Sequence, residues 1–122
     1  MLNLFLIAFG GAIGALSRYF ISQFSLYFFY KNLYGTFFVN VIGSFLIGYI
    51  ISTSIFKNFS EEFVKYFLII GVLGSFTTFS AFSNEVINLF ISEKFFFSFL
   101  YIIFTITFCI LAAYLGIYIN KF

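Results

Sequence analysis

The placement of charge constrains this chain more than any other feature. Its 122 residues carry six Lys/Arg and four Asp/Glu, and long uncharged runs separate them. Twenty-five uncharged residues lie between Lys31 and Lys57, 19 between Lys65 and Glu85, and 26 between Lys94 and Lys121. The first 17 residues carry no side-chain charge. A helix of about 20 mostly apolar residues crosses a bilayer. The spacing therefore predicts an all-α integral membrane protein with four spans, roughly 2–24, 33–55, 65–91 and 95–119, in one transmembrane domain over 1–122. Short connections make neighbouring helices antiparallel. The first span lacks a basic leader and three more spans follow it, so it reads as a span rather than a signal peptide.

Composition removes whole classes of function. Hydrophobic residues make up 63% and charged residues 8%, where a soluble domain carries about 25% charged. A soluble fold of this size has no interior for 24 Phe and 9 Tyr. A nucleic-acid partner needs a basic surface, which a net charge of +2 does not supply. There is no His, and Cys109 is the single cysteine. That leaves no imidazole base, no site of His or Cys metal ligands and no internal disulfide. The chain reads as a non-enzymatic, multi-pass protein of the inner or plasma membrane, in contact with lipid.

Four spans put both termini on one side. Lys57, Lys65 and Lys121 share that side, and Arg18, Lys31 and Lys94 take the other. Orientation follows Lys/Arg asymmetry, and here the asymmetry is nil. Either lipid or the N-terminus sets one orientation weakly, or the chain inserts both ways.

Small and polar stripes mark the faces that meet protein. Ala8, Gly11, Ala12 and Ala15 fall on one face of the first span, with Gly10 and Gly14 beside it; small residues let helix backbones approach closely in lipid. In the second span Thr36, Asn40, Ser44 and Gly48 step by four, next to Gly43. The Asn40 amide must find partners in hydrocarbon. It either bonds a neighbouring helix or faces a water-filled path. The third span runs Gly71-Val-Leu-Gly74-Ser75-Phe76-Thr77-Thr78-Phe79-Ser80-Ala81-Phe82-Ser83-Asn84-Glu85. Glycine and hydroxyl residues at mid-membrane depth predict a helix broken near 74–78. Such a break must be buried in protein or line a cavity, and it frees carbonyls before it and amides after it. The alternative is a continuous helix with back-bonded hydroxyls. Phe79 and Phe82 share a face, and the positive edge of a phenyl ring can favour an anion. Spacing alone does not separate them from the other 22 Phe. In the fourth span Tyr101 and Thr105 lie one turn apart, and Cys109 and Ala113 continue the face. Arg18, near the far end of the first span, either snorkels to headgroups or forms a cationic vestibule, with Glu85 close enough for a structural ion pair.

Three ordered segments resemble the fluoride channel family, Fluc/CrcB. They are Gly10-Gly-Ala-Ile-Gly-Ala-Leu-Ser-Arg18-Tyr19, then Gly35-Thr-Phe-Phe-Val-Asn40-Val-Ile-Gly43-Ser-Phe45 with Gly48 beyond, then Gly71 to Phe82 with Thr77-Thr78-Phe79-Ser80, continuing to Ser83 and Glu85. The resemblance covers the whole chain. It implies a dual-topology homodimer of antiparallel subunits with two fluoride pores, exporting cytoplasmic fluoride passively. Fluoride enters from acid surroundings as neutral HF and ionises inside, so a passive exit suffices. In this likeness Asn40 is the pore amide, Phe79 and Phe82 are the paired rings, and Ser80 adds a pore hydroxyl. Tyr101 and Thr105 belong to a polar track, and Arg18 to the vestibule. The backbone carbonyls of Gly74 and Thr77 from both subunits hold a central structural sodium ion. Ala81, Cys109 and Ala113 depart from the family pattern, which usually has hydroxyl residues there. Two other functions fit four short spans. A proton-coupled cation or drug antiporter needs a membrane-embedded carboxylate, and the first two spans contain none. A non-conducting partner subunit of a heterodimeric channel would not need Asn40 and the two rings.

Overall fold

A computed structural model describes residues 1–53 and 59–120. Lys57, Lys121 and the last residues of the expected second span lie outside the described residues. Four stretches are long and apolar enough to cross a membrane: Leu2–Phe29, Leu33–Ser52, Phe63–Ile91 and Phe95–Ile119. The protein is thus an all-helical, multi-pass membrane protein, and no strand occurs among the described residues.

Helix α1 is Leu2–Phe29, 28 residues without proline or interior charge until Arg18. At 1.5 Å per residue it is about 42 Å long, more than the roughly 30 Å hydrocarbon core. It ends where Tyr30 turns left-handed, with φ 56°. Ser25 then fixes the turn into α2 (Leu33–Ser52): its hydroxyl donates to Lys31 O at 2.7 Å and accepts from Gly35 N at 3.0 Å. The third span opens as a π-helix, Phe63–Leu73, and runs into one α-turn, α3 (Gly74–Phe76). Thr77 and Thr78 are extended, with ψ 156° and 116°. Helix α4 follows at Phe79–Ile91, and α5 is Phe95–Ile119.

Two backbone seams join these elements: α1 lies on the π-helix and α3, and α2 lies on α5. Glycine makes both possible. A Cβ on Gly10 would meet Phe67 O at 2.5 Å and Gly71 Cα at 3.1 Å; one on Gly116 would meet the Phe45 carbonyl. The first seam differs from the face expected from Ala8, Gly11, Ala12 and Ala15. Gly10 and Gly14 are the buried pair, while Ala8 and Ala12 are exposed. The backbones come closer than any Cβ allows, so the glycines turn inward and the alanines turn away. The enclosed core is small, with Val39, Leu73, Phe76, Phe82, Tyr101 and Ala112 as its apolar members. Many large apolar side chains, among them Phe5, Phe20, Phe96 and Phe104, lie exposed, as they must where lipid replaces water.

Candidate functional site

Beside the extended pair Thr77–Thr78 the helices leave a cleft of about 420 Å³. Asn40 and Ser44 line it from α2, Gly74, Thr77 and Thr78 from the middle of the third span, Phe79 and Phe82 from α4, and Thr105 and Cys109 from α5. None of its lining residues is charged. Asn40 pairs with the backbone of Thr78 in both directions: Nδ2 donates to Thr78 O at 3.0 Å, and Oδ1 accepts from Thr78 N at 2.8 Å. The amide therefore satisfies the extended residue as a neighbouring strand would. Thr77 turns the other way, and its N–H and hydroxyl both donate to Leu73 O, at 3.1 and 3.0 Å. The Thr78 hydroxyl caps α4 by accepting from Ala81 N at 3.2 Å, and it shares a hydrogen bond with Ser80 Oγ at 3.2 Å.

The two rings occupy different environments. Their centroids are 5.6 Å apart, yet Phe82 is 5% exposed and Phe79 is 76% exposed within one chain. Phe82 continues inward to Tyr101, with centroids 5.2 Å apart. Thr105 is 4% exposed, and its Oγ1 is buried without a hydrogen-bond partner within the chain. A buried hydroxyl so placed, on the wall of a cleft, is an available donor.

Tyr101 and Ser80 lie just outside this lining. Tyr101 OH donates to Glu85 Oε2 at 2.7 Å, and Thr36 Oγ1 donates to Glu85 Oε1 at 2.7 Å. Each carboxylate oxygen thus takes one charge-assisted bond. Arg18 lines a second cleft, of about 240 Å³, with Ser22, Asn32, Thr36, Thr78 and Ala81. The expected Arg18–Glu85 ion pair does not form; the carboxylate accepts from the Thr36 and Tyr101 hydroxyls instead. Asn32 Oδ1, on this second cleft, is buried without a partner. Thr78, from the expected break, and Glu85, expected only as a structural partner of Arg18, both join the site through their hydrogen bonds. Thr78 carried a usable signal, a hydroxyl residue just before a helical segment, the pattern of an N-cap. The charge and depth of Glu85 pointed to Arg18, whereas its actual donors lie 49 and 16 residues away.

Among the described residues no group of His, Cys, Asp and Glu is arranged to hold a metal ion. Carbonyl oxygens are a different matter. In a continuous helix the Thr78 N–H would bond the Gly74 carbonyl; here it donates to Asn40 instead. Gly74 thereby loses its regular helical donor, which suits a role for its carbonyl as a ligand of a hard monovalent cation.

Residues 5–117 match the family described as CrcB-like protein, Camphor Resistance (CrcB). The chain belongs to the CrcB family. Similar proteins include one from Shewanella baltica (strain OS155), 42% identical over 117 residues, covering 95% of this chain and 94% of the relative. Others come from Shewanella oneidensis at 41% and Shewanella frigidimarina at 38%, each with the same coverage. All three bear the name fluoride-specific ion channel FluC. The CrcB match spans all four membrane helices and both clefts.

Proposed function

We propose that this CrcB chain is a passive fluoride channel. It works as an antiparallel, dual-topology homodimer with two pores, its third span interrupted at 74–78 around a central structural sodium ion. The observation that carries this reading is the uncharged cleft where the Asn40 amide, the Phe79 and Phe82 rings and the orphan Thr105 hydroxyl converge. Relatives named for fluoride conduction support the choice of ion.

The chemistry follows from fluoride's hydration. A path must replace strong water hydrogen bonds without trapping the ion, so its sites must be attractive but weak and several. Arg18 raises the local anion concentration in its vestibule cleft. The second Nδ2 hydrogen of Asn40, the ring edges of Phe79 and Phe82, then Thr105 and Tyr101 with Ser80 nearby, offer neutral donors in succession. A buried Lys would hold the anion too long. Exposed Phe79 becomes part of a wall once the second subunit covers it. The Gly74 and Thr77 carbonyls of two subunits supply four oxygens; a sodium ion there would offset their crowded dipoles and hold the break open. A proton-coupled cation antiporter fits less well, because no acidic residue lines the cleft.

The test is fluoride efflux from liposomes holding the purified chain, followed with an ion-selective electrode. Efflux that tracks the fluoride gradient is expected. No efflux above empty liposomes refutes the reading. Replacing sodium exhaustively with a bulky organic cation during reconstitution should abolish flux, while a sodium gradient should drive no fluoride accumulation. Labelling a C-terminal tag from each side of the membrane should mark both populations, and labelling from one side alone defeats dual topology.

A further inference from the structure

We infer that Asn40 acts as a backbone clamp on Thr78, and that this clamp, rather than the Asn40 donor alone, positions the route between the two clefts. The proposed path for fluoride rests on the channel reading; the clamp itself does not.

The argument begins with spent hydrogen bonds. Asn40 has one amide oxygen and two amide hydrogens. The oxygen and one hydrogen are committed to Thr78 N and Thr78 O, at 2.8 and 3.0 Å. A side chain engaged at both ends has little freedom to rotate, so its remaining hydrogen is held in a fixed direction. Thr78 is the residue that lines both the 420 Å³ cleft and the 240 Å³ cleft holding Arg18. It is 6% exposed, and its hydroxyl is committed to Ala81 N and Ser80. Thr78 is therefore the common wall of the two clefts, and every polar group it owns is tied down.

Two neighbours show that the wall's position is built. A Cβ on Gly43, one turn from Asn40, would collide with the Thr77 side-chain methyl; glycine there leaves room for the extended pair. The clamp also takes the Thr78 N–H that a regular helix would give to Gly74. One hydrogen bond thus links the anion donor, the wall between the clefts and a carbonyl proposed to hold a cation. Asn40 is in this sense a positioning residue as well as a donor.

Amide exchange of detergent-solubilised protein carrying isotope-labelled threonine tests the clamp. Asn40→Ala and the bulkier, apolar Asn40→Leu should each speed exchange at Thr78 at least about tenfold, a loss of ~1.4 kcal/mol of local protection. Thr77, whose N–H goes to Leu73, should keep its rate in both. Asn40→Asp keeps an acceptor for the Thr78 N–H, so it should retain protection. Unchanged Thr78 exchange in Asn40→Ala, or protection restored by the packing of Leu, overturns the clamp. The same proteins are reconstituted in phosphatidylethanolamine and phosphatidylglycerol vesicles for fluoride efflux. Altered Thr78 exchange together with a wild type that carries no fluoride would sustain the clamp and sink the channel reading. Fluoride efflux by wild type with exchange indifferent to residue 40 would do the reverse.

Discussion

The π-helix Phe63–Leu73 lies on α1 through Gly10, Gly14 and Gly71, where backbone meets backbone. Helix α4, further along the same span, is joined to its neighbours by polar groups. Thr36 and Tyr101 reach Glu85, Ser98 reaches Val86 O, and Asn40 fixes Thr78 at its start. In lipid, apolar burial does not drive helices together, so close packing and hydrogen bonds remain. The third span uses one of these on each side of Thr77–Thr78. Shape holds the first half, whose glycines let the backbones touch. Directional bonds hold the second, which can stand open around a cleft without collapsing.

The largest expected effect comes from filling the shape-held seam. A Cβ on Gly14 would collide with the Val72 carbonyl and reach Phe76 N at 3.0 Å. Gly14→Leu should cost about 3 kcal/mol, the upper end of the usual overpacking cost, since a rigid backbone contact must shift. Thermal unfolding in detergent and the yield of monodisperse protein measure it. Ala8→Leu, on the exposed face of the same helix, should be close to wild type. Equal damage from both would erase the distinction between seam and lipid face.

The polar half breaks by a different route. Glu85→Ala removes the acceptor of two buried hydroxyls, Thr36 at 2% exposed and Tyr101 at 7%. Leaving them unsatisfied should cost about 2 kcal/mol. Glu85→Gln retains one carbonyl oxygen as acceptor and should cost about half as much. Melting temperatures of the two variants give the ratio; an unperturbed Glu85→Ala would mean that the hydroxyls find other partners.

Much of this organisation was legible in the sequence. Charge spacing located four spans, and the tied side chains of α2 and α4 include Asn40, which sequence reasoning had already set apart by its cost in hydrocarbon. What remained hidden depends on neighbours distant in sequence. Choosing between Gly10/Gly14 and Ala8/Ala12 as the buried face requires knowing how closely the π-helix approaches, and periodicity is silent on that. Arg18 looked like the natural partner of Glu85 by charge and depth. Two hydroxyls on α2 and α5 took that carboxylate instead, and their reach follows from tertiary packing alone.

The two rings sharpen the comparison within α4. Phe79→Ile and Phe82→Ile should each slow fluoride efflux by at least about tenfold, ~1.4 kcal/mol of barrier, because a branched alkyl group has no positive ring edge. Their stability costs should differ. Phe82 is buried against Tyr101 and its loss should lower the melting temperature of the monomer, whereas exposed Phe79 should affect stability only where a second chain covers it. Wild-type efflux in both variants removes the rings from the path.

The smallest expected effect lies at the boundary between the two halves. Thr78 Oγ1 accepts from Ala81 N at 3.2 Å and so satisfies one of the amides that open α4. Thr78→Ala leaves the backbone clamp of Asn40 in place and removes this cap together with the bond shared with Ser80 Oγ. The loss should be about 1 kcal/mol, the usual cost of an N-cap hydroxyl, and Thr78→Ser should recover most of it. If the second half is held by directional bonds, exchange at Ala81 should quicken in Thr78→Ala, while amides of the π-helix keep their rates. Quickening spread evenly along the whole span would mean that the halves respond as one rigid rod, and that the distinction between a shape-held and a bond-held half does not describe this protein.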